Sequence, residues 1–263
     1  MEKLKNIKLF LFDMDGTLYL GDRLYEFTPR LLNTIRQKGG KYLFMTNNSS
    51  KSVADYIKKL KKLGIDAVYE DFMTSSQATA YYLHKHHEGK KLYVCGTKSM
   101  QRELEKEGFT VTTDLTQVEC IVMGFDTELT FQKLHDVSYL LLTRPETPYI
   151  ATNPDLVCPT EFGSVPDCGS VCICIKNATG KDPVVIGKPS PLMPQLAMER
   201  LGVSKDQTCV VGDRIYTDIC SGLNAGVTSV LVMSGETTPE ILAQSAEKPD
   251  LVLENAGKIL EMI

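Results

Sequence analysis

No stretch of this 263-residue chain stays apolar for the length a bilayer crossing needs, and no internal repeat or low-complexity segment interrupts it. The opening MEKLKNIKLFLFD has a charged start. Its apolar run is short, however, and ends in aspartate rather than at a small-residue cleavage site. The expectation is a cytoplasmic protein without membrane attachment. Positive charge is not in excess either: the formal net charge is −4, which argues against a nucleic-acid partner. The nearest thing to a basic patch is Lys58, Lys59, Lys61 and Lys62, read as a solvated helix face. No histidine lies close to Cys168, Cys172 and Cys174, whose spacing matches no zinc pattern. The eight cysteines lie in apolar contexts such as LYVCG and QTCVVGD, and are expected to be reduced packing residues.

What is present is an ordinary globular composition, 43% hydrophobic and 24% charged, with room for two domains. Short apolar runs alternate with helical patterns. IKLFLFD, KYLFMTN, PVVIGK, TCVVGD and TSVLVM read as strands that are apolar throughout, which suits a parallel sheet covered on both faces. Between them, FTPRLLNTIRQKG reads as a helix capped by Thr28, with Pro29 in its first turn and Gly39 at its end. SVADYIKKLKKLG, PLMPQLAMERLG and TDICSGLNAG read as further helices. This alternation predicts an α/β fold with a doubly wound parallel sheet. The middle of the chain has its own strands, KKLYVCG, FTVTTD, ECIVMGFD and PYIATN, and a helix at TFQKLHDVSYLLL. GSVCICIKNATG suits a buried strand or a helix starting at Ser170. The predicted organisation is a core over 1–75 and 182–263 with a second α/β domain inserted at 76–181.

Ligands of open parallel sheets bind at the carboxyl ends of the strands. The residues just past each core strand are, in order, Asp13 and Asp15, then Thr46, Asn47 and Asn48, then Lys188, then Asp213 with Asp218 five residues on. Crowded carboxylates raise one another's pKa unless a cation sits among them, and one lysine is not enough. A hard divalent ion such as Mg2+ takes oxygen ligands and suits such a site. Thr46 with its adjacent backbone amides, together with Lys188, suits an oxyanion such as phosphate. Alone, each piece is ordinary turn or cap chemistry. Their conjunction at successive strand ends is not.

In this order the motifs DMDGT (13–17), TNNS (46–49), GKPSP (187–191) and GDRIYTD (212–218) resemble those of haloacid dehalogenase superfamily phosphatases. The inserted unit resembles the large α/β cap of their NagD-like, para-nitrophenyl-phosphatase branch. The resemblance implies a Rossmann-like core with a cap domain. It makes Asp13 the nucleophile and Asp15 the general acid and base. It places Mg2+ on the Asp13 carboxylate, the Asp15 backbone carbonyl and Asp213, with Asp218 in support. Thr46 and the Asn47 amide, with Asn48 beside them, are then expected to bind the transferring phosphoryl group, and Lys188 to bridge it to Asp13. An acid at position 15 favours phosphoryl transfer, because expelling halide needs no proton donor.

The substrate expected is a small phosphomonoester such as a sugar phosphate or nucleoside monophosphate. Two other readings stand beside hydrolysis: a phosphomutase sharing the aspartyl-phosphate, and a regulatory phosphate-binding protein without turnover. In the inserted unit ATNPDLVCPT offers Asn153 and Asp155 to the substrate, against a simple turn role for Asn-Pro-Asp, and GFDTELT is a second candidate loop. His84, His86 and His87 read as exposed helix-end residues. A homodimer through the inserted unit is compatible with the resemblance.

Overall fold

The structure, a computed structural model, describes residues 4–160 and 162–263. The chain forms two compact units, one from Met1–Thr46, Val53–Met73 and Lys188–Ile263, the other from Asn47–Ser52 and Thr74–Gly187.

The first unit is built on a six-stranded sheet. Its spatial order is Leu251–Leu253, Thr228–Val232, Thr208–Gly212, Leu9–Phe12, Lys41–Thr46 and Phe72–Thr74. The chain starts in the middle, winds to one side, and returns to build the other from Thr208 onward, so the sheet is doubly wound. Leu9–Phe12 pairs in parallel with both neighbours, Phe12 lying opposite Val211 on one side and Phe44 on the other. Both central strands are buried along their whole length, as their unbroken apolar runs require. The helix Thr28–Gln37 buries Leu31, Leu32 and Ile35, and Val53–Lys62 buries Val53, Tyr56 and Leu60. These faces join Phe10, Phe12, Phe44 and Phe72 in one apolar cluster.

The second unit has a four-stranded parallel sheet in the order Val184–Val185, Tyr149–Ala151, Cys120–Met123 and Leu92–Cys95. Helices Ser75–His86, Lys98–Lys106, Phe131–Thr143 and Cys168–Thr179 accompany it. A two-stranded antiparallel ribbon pairs Val157–Thr160 with Gly163–Pro166.

Four readings of the sequence change. PVVIG is not a core strand: Val184–Val185 closes the edge of the second sheet, pairing with Ile150 and Ala151. Lys188 therefore comes after a strand end, but of the other unit's sheet. FTVTTD forms only a single bridge, Val111 to Leu92, because Asp114 binds Thr116 and Gln117 and turns the backbone away. Thr28 lies inside its helix rather than at the cap, and its hydroxyl donates to Leu18 O at 2.6 Å. GSVCICIKNATG is helical from Cys168, whose N–H is accepted by the Asp167 side chain. The cysteines are free; Cys168 and Cys172 are buried with sulfurs 4.0 Å apart, and Cys174 is exposed. His84 and His86 are exposed at the end of their helix, while His87 is half-buried, which lowers its pKa.

Phe44 is fully buried, with its ring 5.3 Å from Tyr42 and 5.2 Å from Phe72. Phe44→Ala is expected to destabilise the first unit by about 3–5 kcal/mol, read from the shift in its urea midpoint.

Candidate active site

Asp13 and Asp213 come directly after the two adjacent central strands, at the point where the winding of the sheet reverses direction. Past Asp213 the backbone makes one widened turn, in which the N–H groups of both Asp218 and Ile219 reach Arg214 O. That turn brings Asp218 back against Gly212, close to Asp213. Carboxylate oxygens of Asp13, Asp213 and Asp218 all lie within 4.8 Å of one another.

Lys188 enters this cluster almost completely buried. Its Nζ donates to Asp13 Oδ1 at 2.6 Å, to Asp218 Oδ1 at 2.6 Å and to Met45 O at 3.1 Å. Burial alone would push the ammonium toward its neutral form, but Asp13 and Asp218 more than offset this and hold its pKa above the ordinary lysine value. Asp218 is fully committed within the protein, one oxygen to Lys188 and the other to the Arg214 N–H at 3.1 Å.

Asp213 accepts from Glu236 N at 2.7 Å and from the Thr17 hydroxyl at 3.5 Å. Burial, reinforced by Asp13 and Asp218, pushes its pKa up to about 7, and burial likewise raises Asp218. Two glycines wall this carboxylate. A Cβ on Gly16, whose φ is +81°, would lie 2.5 Å from Asp213 Oδ2, and one on Gly235 would lie 2.0 Å from it. The Gly of DMDGT therefore serves both a left-handed turn and a close approach.

The buried ammonium cannot neutralise three carboxylates, and the donor set is oxygen only. These residues fit a hard divalent cation, with Asp13 and Asp213 placed to hold it. Asp15 stands apart from the cluster. Its carboxylate is exposed, accepting from Gly21 N at 3.2 Å and lying 3.8 Å from Lys59 Nζ. Lys59 itself rests 4.3 Å over the Tyr19 ring. In this it differs from exposed Lys58, Lys61 and Lys62, and the lysine run is not uniformly a solvated face. Nothing in the lysine spacing marks Lys59, since only the fold brings Tyr19 and Asp15 to it. Arg214 carries no distinguishing signal inside its own motif; its guanidinium is paired at 2.8 Å with Glu236, which also accepts from the Tyr216 hydroxyl.

Thr46 ends its core strand, and the segment from Asn47 onward belongs to the second unit. Asn47 is buried: its Nδ2 donates to Asp155 Oδ2 at 3.0 Å, and its carbonyl accepts from Asn153 Nδ2 at 2.8 Å and from Ser75 Oγ at 2.7 Å. Asn48 Oδ1 accepts from Ser50 N and Ser50 Oγ, an Asx turn. Asn153, expected to face the substrate, is instead fully buried, with its amide taken up by Asn47 O, Asp155 N and the Asp167 carboxylate. In the second candidate loop Asp126 is buried in a 2.6 Å ion pair with Lys133, which also binds Gly96 O.

Residues 10–110 match the family model of haloacid dehalogenase-like hydrolases, and residues 185–259 match a second model of HAD-hydrolase-like proteins. The acid sugar phosphatase of Staphylococcus haemolyticus is 34% identical over 246 residues, covering 94% of this chain and 92% of its own. The 5'-nucleotidase YutF of Bacillus subtilis is 35% identical over 94% of both chains. The crystal structure of a 4-nitrophenylphosphatase from Thermotoga maritima superposes with a TM-score of 0.93 at 39% identity, covering 99% of both chains. The chain belongs to the haloacid dehalogenase-like hydrolases, in their NagD-like phosphatase branch. The four motifs span this family's match on both sides of the inserted unit. Among the described residues no helix is long and apolar enough to cross a membrane.

The cluster has two measurable consequences. A carboxyl group raised by folding contributes stability below its unfolded pKa of about 4, and that contribution is lost as pH climbs toward about 7. A divalent cation replaces the protons, so the rise in Tm on adding it is expected to be larger at pH 8 than at pH 5.5. Equal shifts at the two pH values would count against the cluster as a metal site. Gly235→Ala puts a methyl group into Asp213 and is expected to weaken divalent-cation affinity by roughly 10–100-fold, measured by calorimetric titration.

Proposed function

We propose that this chain is a magnesium-dependent phosphatase that hydrolyses small phosphomonoesters through an aspartyl-phosphate on Asp13. The observation that carries the reading is the convergence of Asp13, Lys188, Asp213 and Asp218 around one oxygen-lined position.

Asp13 attacks phosphorus in line, forming an acyl phosphate as the bond to the leaving oxygen breaks. Lys188 holds the attacking carboxylate in place and offsets charge on the phosphoryl oxygens. Thr46 and the amide of Asn47 bind those oxygens. Asp15, exposed and loosely held by Gly21 N and Lys59, gives its proton to the departing alkoxide. It then takes a proton from the water that splits the acyl phosphate, which releases inorganic phosphate and returns Asp13. Asp13, Asp213 and the Asp15 carbonyl, with Asp218 in support, would hold Mg2+, which would supply positive charge to offset that of the phosphoryl oxygens. The second unit, whose main part is Thr74–Gly187, takes the part of the cap. The substrates favoured are sugar phosphates and nucleoside monophosphates, the classes for which the two relatives are named, and the compartment is the cytoplasm.

Asp13→Asn is expected to lower kcat for nitrophenyl phosphate by roughly a thousandfold or more. Full turnover in that variant would remove Asp13 from the chemistry. Asp15→Asn is expected to slow hydrolysis of an alkyl phosphate by roughly 100–10,000-fold and of nitrophenyl phosphate much less, since nitrophenolate leaves without a proton. The same loss for both substrates would take the acid role away from Asp15. A panel of phosphorylated metabolites, assayed with and without Mg2+, identifies the substrate class.

A further inference from the structure

We infer that Asp155 and Asn153 are positioning residues, which hold the Thr46-Asn47-Asn48 turn in its phosphate-binding shape rather than touching substrate. The inference rests on the proposed phosphate role of that turn. The clamp itself, from Asn47 to Asp155, lies entirely within the second unit.

Asn47 is gripped at both ends. Its side-chain Nδ2 donates to Asp155 Oδ2 at 3.0 Å, and its Oδ1 packs so tightly on Gly187 that a Cβ there would come within 2.7 Å of it. Its carbonyl takes two donors, Asn153 Nδ2 and Ser75 Oγ. A trans peptide is planar, so fixing a carbonyl direction fixes the next N–H in the opposite sense. Two donors on Asn47 O therefore also set the direction of the Asn48 N–H. The clamp is rigid in its own right. Asn153 is locked by the Asp155 N–H and the Asp167 carboxylate, and Ser49 further along the segment is tied to Thr152 at 2.9 Å and to Phe125 N at 2.8 Å. Such a side chain is an anchor. The oxyanion is left to the backbone amides, whose aim the anchor decides.

This arrangement gives the Asn-Pro-Asp sequence a purpose distinct from leaving-group contact. Its two polar side chains serve the phosphoryl end of every substrate equally, so a defect there must appear with inorganic phosphate itself. A residue that contacts the leaving group would show the reverse.

The test is competitive inhibition by inorganic phosphate of nitrophenyl phosphate hydrolysis, with Tm followed in parallel. It uses wild type, Asp155→Leu, Asp155→Asn, Asn47→Ala, and the double variant Asn47→Ala/Asp155→Leu. Asp155→Leu removes the acceptor of the 3.0 Å bond from Asn47 Nδ2 and is expected to raise the inhibition constant about tenfold. Asn47→Ala is expected to weaken phosphate at least as much, and the double variant to be no worse than Asn47→Ala, because both single changes remove the same Asn47–Asp155 bond. Asp155→Asn keeps an acceptor oxygen and is expected to recover most of the lost affinity. An inhibition constant unchanged in Asp155→Leu, or single effects that multiply to about a hundredfold in the double variant, overturns the inference. Should Asp155→Leu lose its melting transition, Asn47→Ala decides, and an unchanged constant there overturns it. Wild type that turns over nitrophenyl phosphate but is not inhibited by phosphate would refute the phosphate-site reading. Loss of only the positioning signature leaves that reading intact.

Discussion

A buried ammonium organises the core of this protein. Lys188 is almost wholly removed from water, and a charge in that position survives only if its donors are met. They are met by Asp13, Asp218 and Met45 O, from three stretches that lie far apart in sequence. Removing either carboxylate would take one charged partner from the buried ammonium, and removing the ammonium would leave carboxylates facing one another. The pairing therefore dictates where the first strand, the second strand and the widened turn after Asp213 must end. Such a network has little to do with net stability, because desolvating the charges costs about as much as their attraction returns. Its effect is on geometry.

The same burial gathers carboxylates that could hold a divalent cation. Asp213 and Asp218 are held where ionisation is disfavoured, and glycines at 16 and 235 let backbone close around Asp213 until no side chain would fit. The local cost of keeping these carboxylates together is borne by the parallel sheet around them, whose central strands are buried along their whole length. Asp15 has the opposite environment, exposed and loosely held. One motif thus supplies two carboxylates in opposite environments, separated by a single residue and distinguished by solvent and partners alone.

The second unit has polar interior positions of its own, and they are not idle. Asn153, Asp155, Asp167, Thr152 and Ser49 form a connected network around the segment that starts at Asn47. Buried polar groups need partners, and here each is met by the next, so that an otherwise irregular stretch of backbone takes one conformation. By contrast the Phe131–Thr143 helix leaves Phe131 and Leu142 exposed.

The sequence by itself determined the fold class, because unbroken apolar runs flanked by helical periodicity suit only a sheet covered on both faces. It also determined the chemical inventory at the strand ends, since carboxylates, a lysine and a Thr-Asn-Asn turn stand where an open sheet presents ligands. Local signals fail where a partner outside the segment decides the outcome. PVVIG reads as a core strand because its apolar pattern carries no mark of which sheet it joins. FTVTTD loses its ladder to the side chains of Asp114 and its neighbours, and Thr28 gives its hydroxyl to Leu18 rather than to its own helix. Lys59 is one lysine among four until the fold brings Asp15 and Tyr19 to it. Asn153 suits a turn or a substrate contact equally, and only the fold shows that it is fully buried. Only the tertiary structure could decide these, because hydrogen bonding and burial depend on which distant groups arrive, and periodicity records only which face of a segment avoids water.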